Sequence, residues 1–180
     1  GTLYKREYAA FLLSELLTWR FVPTTLIREG PYGIGSLQQF IYQDQRTNYF
    51  TIREESPEDL KRIAIFDIIA NNADRKASHC FTDKQGRVWS IDHGLTFHKD
   101  TKLRTVIWDY SHEQIPKEIL SQLNILRSQL SGKDPVVKEF LSLFNQIECE
   151  SLLKRLDLLL YSQIFPEPDP DRRNIPWPWF

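Results

Sequence analysis

Not one methionine occurs among the 180 residues of this chain. A chain without one does not open at a translation start, so we expect part of the native protein to precede Gly1. Cysteine is nearly as scarce. Cys80 and Cys149 are too few for a disulfide framework and read as reduced thiols of a cytoplasmic protein. Long apolar runs are missing too. No stretch approaches the roughly 20 residues that a membrane helix needs, and the N-terminus has no signal-peptide pattern. The last absence is an excess of one charge: 23 Lys and Arg stand against 24 Asp and Glu. That balance excludes the basic footprint of a nucleic-acid binder. What is present is ordinary for a folded protein, with 41% hydrophobic and 26% charged residues. The length suits one sizeable domain or two small lobes.

Tyr8, Phe11, Leu12, Leu16 and Leu17 recur at helical spacing and predict a helix over 4–18, which Phe21-Val22-Pro23 ends. Thr24 to Arg28 and Leu37 to Tyr42 read as strands around a turn cluster of Gly30, Pro31, Gly33 and Gly35. Residues 43–55 are polar and loop-like. A helix then starts at Ser56-Pro57-Glu58-Asp59 and runs to about Ile69. Ser56 is the expected cap, Pro57 suits the first helical position, and Asp59 stands where a capping-box acid would. The polar segment NNADRKASH, residues 71–79, follows. Cys80-Phe81-Thr82 and Val88 to Ile91 form a hairpin around Asp83-Lys84-Gln85-Gly86.

Residues 92–115 look irregular. Further helices are expected from Pro116 to near Ser131-Gly132, over 135–145 and over 147–161. The tail 165–180 holds five of the ten prolines and reads as extended. No internal repeat is visible. The order of helix, strands, helix, polar loop, hairpin and helices defines an α+β class.

The polarity of residues 71–79, set between two elements that look buried, asks for a reason. His79 stands five positions after Asp74, and Asp92 stands eighteen after it, within Asp92-His93-Gly94. Kinases use this grammar. A catalytic-loop Asp orients the acceptor hydroxyl, and a metal ligand follows five positions on. A hairpin then returns the chain to an Asp-x-Gly whose Asp binds Mg²⁺. Carboxylates at opposite ends of a hairpin converge, so one serves the nucleophile and the other the metal on the phosphates. Gly94 is expected to allow a sharp turn after the ligand.

Three segments carry a resemblance to a known family. They are REYAAFLLSELLTWRFVPTT (6–25), GIGSLQQFI (33–41) and NNADRKASH with IDHGLTF (71–97). On these the sequence resembles the phosphatidylinositol 3-/4-kinase-like superfamily, with motifs like those of type II phosphatidylinositol 4-kinases and of a bacterial family of kinase-like proteins. The IPWPW of the tail is also similar to that bacterial family.

The resemblance implies a protein-kinase-like fold. It places a partial N-lobe in residues 1–42, a mostly helical C-lobe in 43–164 and an extended tail in 165–180. It implies an ATP-dependent transfer of phosphate to a hydroxyl on a lipid, protein or small molecule, with Mg²⁺ or Mn²⁺. Asp74 would be the catalytic Asp and Asp92 the metal ligand. Glu7 would hold the nucleotide-binding lysine, and Phe40 and Ile41 would flank adenine at the hinge. Arg75 and Lys76 would meet phosphate charge. His79 stands where the family has Asn, and a neutral imidazole suits Mn²⁺ or Zn²⁺ better than Mg²⁺. No phosphate-covering glycine loop is evident, since Gln38 falls where the third Gly after Gly33 and Gly35 would stand.

Taken singly, the same residues have plainer roles. Asp74 and Asn72 suit loop bracing. Arg75 and Lys76 read as a solvated pair, and Glu7 as a solvated helix charge. Trp108 and Tyr110 read as core, with Trp177 and Trp179 folded back onto apolar surface. Two other functions compete. One is a non-catalytic relative acting as a scaffold. The other is a metal-dependent hydrolase using His79, Asp92, His93 and Asp74. The second is disfavoured because His79 and Cys80, adjacent on a strand, point to opposite faces.

Overall fold

A computed structural model describes residues 2–180. Helix α1 (Leu3–Leu16) forms as expected, but its buried face is Ala9, Ala10, Leu12 and Leu13, while Tyr8, Phe11 and Leu16 are only partly buried. Strand β1 (Thr25–Gly30) pairs antiparallel with β2 (Gly33–Gln38), with Thr25 opposite Gln38 and Gly30 opposite Gly33. The second strand therefore lies earlier than the expected 37–42. Pro31 and Tyr32 alone make the turn, and Gly33 directly after it takes a positive φ of 100°, which glycine adopts without strain. The ladder then draws in Ile34 to Leu37, and Phe40 and Ile41 fall beyond the strand end.

Residues 43–55 are not all loop. Asn48 and Thr51 cap each other's backbone N–H groups and start a one-turn helix, α2 (Tyr49–Ile52), which buries Tyr49 and Ile52. Helix α3 (Pro57–Ala70) is the centre of the molecule. Leu60, Ile63, Ile65, Phe66 and Ile69 are all fully buried, so the helix is enclosed over its C-terminal half, while Glu58, Asp59, Lys61 and Arg62 keep the first turns at the surface. Its start departs from expectation. Ser56 makes no side-chain cap, and Asp59 instead lies 3.1 Å from Arg62. Pro57 in the first turn, with Glu58 and Asp59 at the positive end of the helix dipole, favours the start.

After the polar segment, a 3-10 turn (Ala77–His79) leads into β3 (Cys80–Thr82), antiparallel to β4 (Val88–Ser90). Helices α4 (Lys117–Gln129), α5 (Pro135–Ser142) and α6 (Gln146–Ser162) follow, with α6 packed on α3 and α4. Asn145 and Glu148 form a reciprocal cap on α6. Glu148 also pairs with Arg6 of α1, and the Tyr8 hydroxyl donates to Glu139 Oε1 of α5 at 2.7 Å. Phe97, Phe140 and Phe144 form a ring cluster beside them. These contacts fix α1, and with it Glu7, against the C-terminal helices.

The tail closes over the polar segment. Ala77 N–H donates to Trp179 O at 3.0 Å, and Thr105 N–H donates to Asn174 O at 2.9 Å. Trp179 lies edge-on to Phe50. Trp177 stays 75% exposed, so it does not fold back as expected, whereas Tyr110 is core against Phe165. No helix of the described residues is long and apolar enough to cross a membrane.

Candidate active site

Helix α3 ends at Asn71, which takes the left-handed conformation (φ 51°) and turns the chain out of the core. One turn before that end, Asp67 is fully buried within the otherwise apolar run Ile63–Ala70. Its partner is Arg75, also fully buried. Arg75 Nε donates to Asp67 Oδ2 and Arg75 Nη2 to Oδ1, both at 2.9 Å. The guanidinium continues outward, with Nη1 donating to Ile91 O at 2.9 Å and Nη2 lying 2.8 Å from His93 Nε2. Asn72 completes the frame, donating to Asp67 Oδ1 and accepting from Asp74 N–H through Oδ1 at 3.0 Å. Arg75 thus joins α3, the polar loop and the chain that carries Asp92. It does not meet phosphate charge, nor is it solvated, and both expectations for it are corrected. Its donors are consumed inside the protein.

Asp74 is left free by this arrangement. Asn72 braces the loop, while the Asp74 carboxylate is partly exposed with Lys76 Nζ 3.3 Å away. On the other side, Asp92 adopts a left-handed φ of 59° and exposes about half its side chain. The sharp turn therefore falls on Asp92 and not on Gly94 as expected. Gly94 packs against α1 at ordinary contact distance. A Cβ there would stand 3.4 Å from Glu7 Oε1 and 3.7 Å from Leu3 Cβ. His79 Nε2 lies 3.4 Å from Asp92 Oδ2, so the two metal-ligand candidates meet.

Burial, with the charges of Arg75 and Lys76, pushes the His79 pKa down to about 4, so its imidazole is neutral near pH 7. His93 is held neutral more strongly, by burial and by Arg75. With Arg75 donating to Nε2, the His93 proton sits on Nδ1, which is buried without a partner.

Glu7 reaches this site from α1. The backbone N–H groups of His93 and Gly94 donate to its carboxylate, yet Oε2 is buried with no partner among the described residues. Burial first, and then the charge of Asp92, raises its pKa to about 7. Phe40 and Ile41 line a cavity of about 320 Å³ whose other wall includes Phe81 and Ile91. Phe81 and Ile91 were not singled out in the sequence. Ile91 is the neighbour of Asp92, which ties that cavity to the site. Asp67 was also missed, although a lone acid in the apolar run from Ile63 to Ala70 was a usable signal. Cys80 is fully buried, and burial pushes its thiol up to about 12, so it is inert. Among the described residues, no cluster of three or more His, Cys, Asp or Glu could hold a metal by itself. The hydrolase arrangement lacks that support.

A helix Glu beside an Asp-x-Gly, a loop Asp supported by the central helix, and a hairpin linking the two match the arrangement of a kinase-like phosphotransferase domain. Comparison with known families agrees. Residues 2–130 match the family model of phosphatidylinositol 3- and 4-kinase, and the chain belongs to that family. It is also similar to Protein Rv2133c of Mycobacterium tuberculosis. The two are 32% identical over 215 residues, spanning all of this chain and 76% of that protein.

Two outcomes follow from the frame. Arg75→Ala leaves the Asp67 charge buried and unpaired, and should cost about 3–5 kcal/mol of stability in urea denaturation; a loss under about 1 kcal/mol would mean the pair is not structural. Glu7 ionises near 4.5 when unfolded and near 7 when folded, so the folded state holds the extra proton between those values. Stability from this group is therefore lost as pH rises from 4.5 to 7. His79 acts in the opposite sense between about 4 and 6.5. The difference between Glu7→Gln and wild type isolates Glu7. The variant should gain up to about 3 kcal/mol on wild type between pH 4.5 and 7, and a flat difference would show that Glu7 titrates normally.

Proposed function

We propose that the chain is an ATP-dependent phosphotransferase that passes the γ-phosphate to a hydroxyl on a lipid, protein or small molecule. The observation that carries this reading is the Arg75 frame, which brings Asp74 and the Asp92 segment to one site while leaving both carboxylates accessible. Residues 1–42 read as part of the nucleotide-binding lobe, 43–164 as the C-lobe and 165–180 as a strap. Adenine fits the cavity between Phe40 and Ile41 on one side and Phe81 and Ile91 on the other.

Asp92 and His79 suit Mg²⁺ or Mn²⁺. One anionic and one neutral ligand, 3.4 Å apart, are enough for an ion whose other ligands are phosphate oxygens and waters. When bound, such an ion neutralises charge on the β- and γ-phosphates. Asp74 orients the acceptor hydroxyl and accepts its proton. Lys76 places a cation beside it, where the transferred group passes. Glu7 Oε2 is a ready acceptor for a lysine ammonium.

A second reading, a scaffold without turnover, draws on two observations. His79 stands at the second ligand position, and no cation of the described residues lies within 4 Å of the Glu7 carboxylate. Turnover separates the two. In full-length protein with Mn²⁺ or Mg²⁺, Asp74→Ala should lower ATP turnover by about 10²-fold or more while nucleotide binding persists. His79→Asn should shift the preference toward Mg²⁺. Wild-type turnover by Asp74→Ala would remove Asp74 from the chemistry. ATP binding without turnover in the wild type would favour the scaffold.

A further inference from the structure

Behind the catalytic loop, α3, residues 101–104, α6 and the tail enclose a second cavity, of about 410 Å³. None of Glu7, Asp74, Lys76, His79 and Asp92 lines it. Its floor is apolar, with Ile68 and Leu158, while its wall carries Lys102, Arg104, Arg155, Arg172 and Arg173. Two acids share that wall, and both are engaged: Asp169 with Arg172 at 3.1 Å and Glu167 with His112 at 3.3 Å. Among the described residues, no carboxylate lies within 4 Å of Lys102, Arg104, Arg155 or Arg173.

Arg155 is the informative member. Its Nε donates to Ile69 O at 2.8 Å and its Nη1 to His98 O at 3.5 Å. Its Nη2 is buried with no partner. That nitrogen is shut away from the cavity, but the Arg155 side chain lines it half-buried and without a carboxylate, so an anion in the cavity would supply the missing countercharge. Several unpaired cations around one cavity exceed what a single carboxylate would neutralise. A phosphomonoester, with a charge of about −1.5 to −2, matches them better. An adjoining cavity of about 450 Å³ shares Ile68, Arg155 and Leu158, leaving room for an apolar body next to the charged end.

We propose that this cavity binds a small organic phosphomonoester, with Arg104 and Arg155 taking the phosphate and the wall of Ile68 and Leu158 taking an apolar body. The site is separate from the nucleotide site and stands whether or not the chain is a kinase. It is coupled to the catalytic loop through backbone. Arg104 N–H donates to Asn72 O at 2.8 Å, and Arg75 N–H to Arg104 O at 3.0 Å. An anion held here would tie α6 and the tail to the segment supporting Asp74.

Calorimetry on full-length protein at fixed ionic strength tests this, with phenyl phosphate, inorganic phosphate and benzyl alcohol as probes. Phenyl phosphate should bind one-to-one, more tightly than either other probe. Arg104→Glu changes a side chain that makes no hydrogen bond or ion pair among the described residues and should weaken binding at least tenfold, whereas Asp92→Ala should leave it unchanged. Sedimentation with phosphatidylcholine vesicles, with and without phosphatidic acid, distinguishes the source. Capture lost in Arg104→Glu assigns a lipid headgroup, and phenyl phosphate binding alone assigns a soluble ligand. No saturable binding, binding insensitive to Arg104→Glu, or binding lost in Asp92→Ala would overturn the proposal. Should Arg104→Glu fail to fold, the milder Arg104→Gln carries the same expectation.

Discussion

A single ion pair organises this molecule. Asp67 and Arg75 are both withdrawn completely from water, where either charge alone would be strongly disfavoured. They are tolerated because their geometry is bidentate and because the remaining groups find partners. Asn72 donates to Asp67, and Ile91 O and His93 accept from Arg75. That pattern spans three pieces of chain that sequence order keeps apart. One is a helix, one a loop and one the strand exit that leads to Asp92. Arg75 draws them together, and the carboxylates of Asp74 and Asp92 are left on the outside of the resulting frame.

The perturbed groups cluster around the same point. Burial with Arg75 nearby keeps His79 and His93 neutral, and burial beside Asp92 raises Glu7. Each shift disfavours a charge that has no buried counterion, while Arg75 keeps its own through Asp67. α1 brings Glu7 to this frame and is held there by Arg6 and Tyr8 acting on Glu148 and Glu139. The position of the helix is therefore set by side chains from the far end of the sequence.

The element order, the hairpin and the meeting of His79 with Asp92 were legible in the sequence, because hydrophobic periodicity and motif spacing encode them directly. The register of β2 was not. Gly33 and Gly35 look like turn residues, yet a two-residue connection at Pro31-Tyr32 places both in the ladder. Arg75 was misjudged for a different reason. Its charge suggests solvent or phosphate, and the acid that buries it lies eight positions back, a separation that no local rule pairs. Gly94 was expected to make the sharp turn, but the positive φ falls on Asp92. Trp177 and the cations around Arg155 depend on how the tail lies over the body, which local pattern does not specify.

The most direct measurement is calorimetric titration of ATP into full-length protein with Mg²⁺ and with Mn²⁺, beside an Asp92→Ala control. We predict saturable binding that requires the divalent ion and is lost in the control, because Asp92 and His79 meet in the geometry that the proposed metal site needs. Absence of ATP binding with either metal, or binding indifferent to Asp92→Ala, would contradict a phosphotransfer site built on the Arg75 frame.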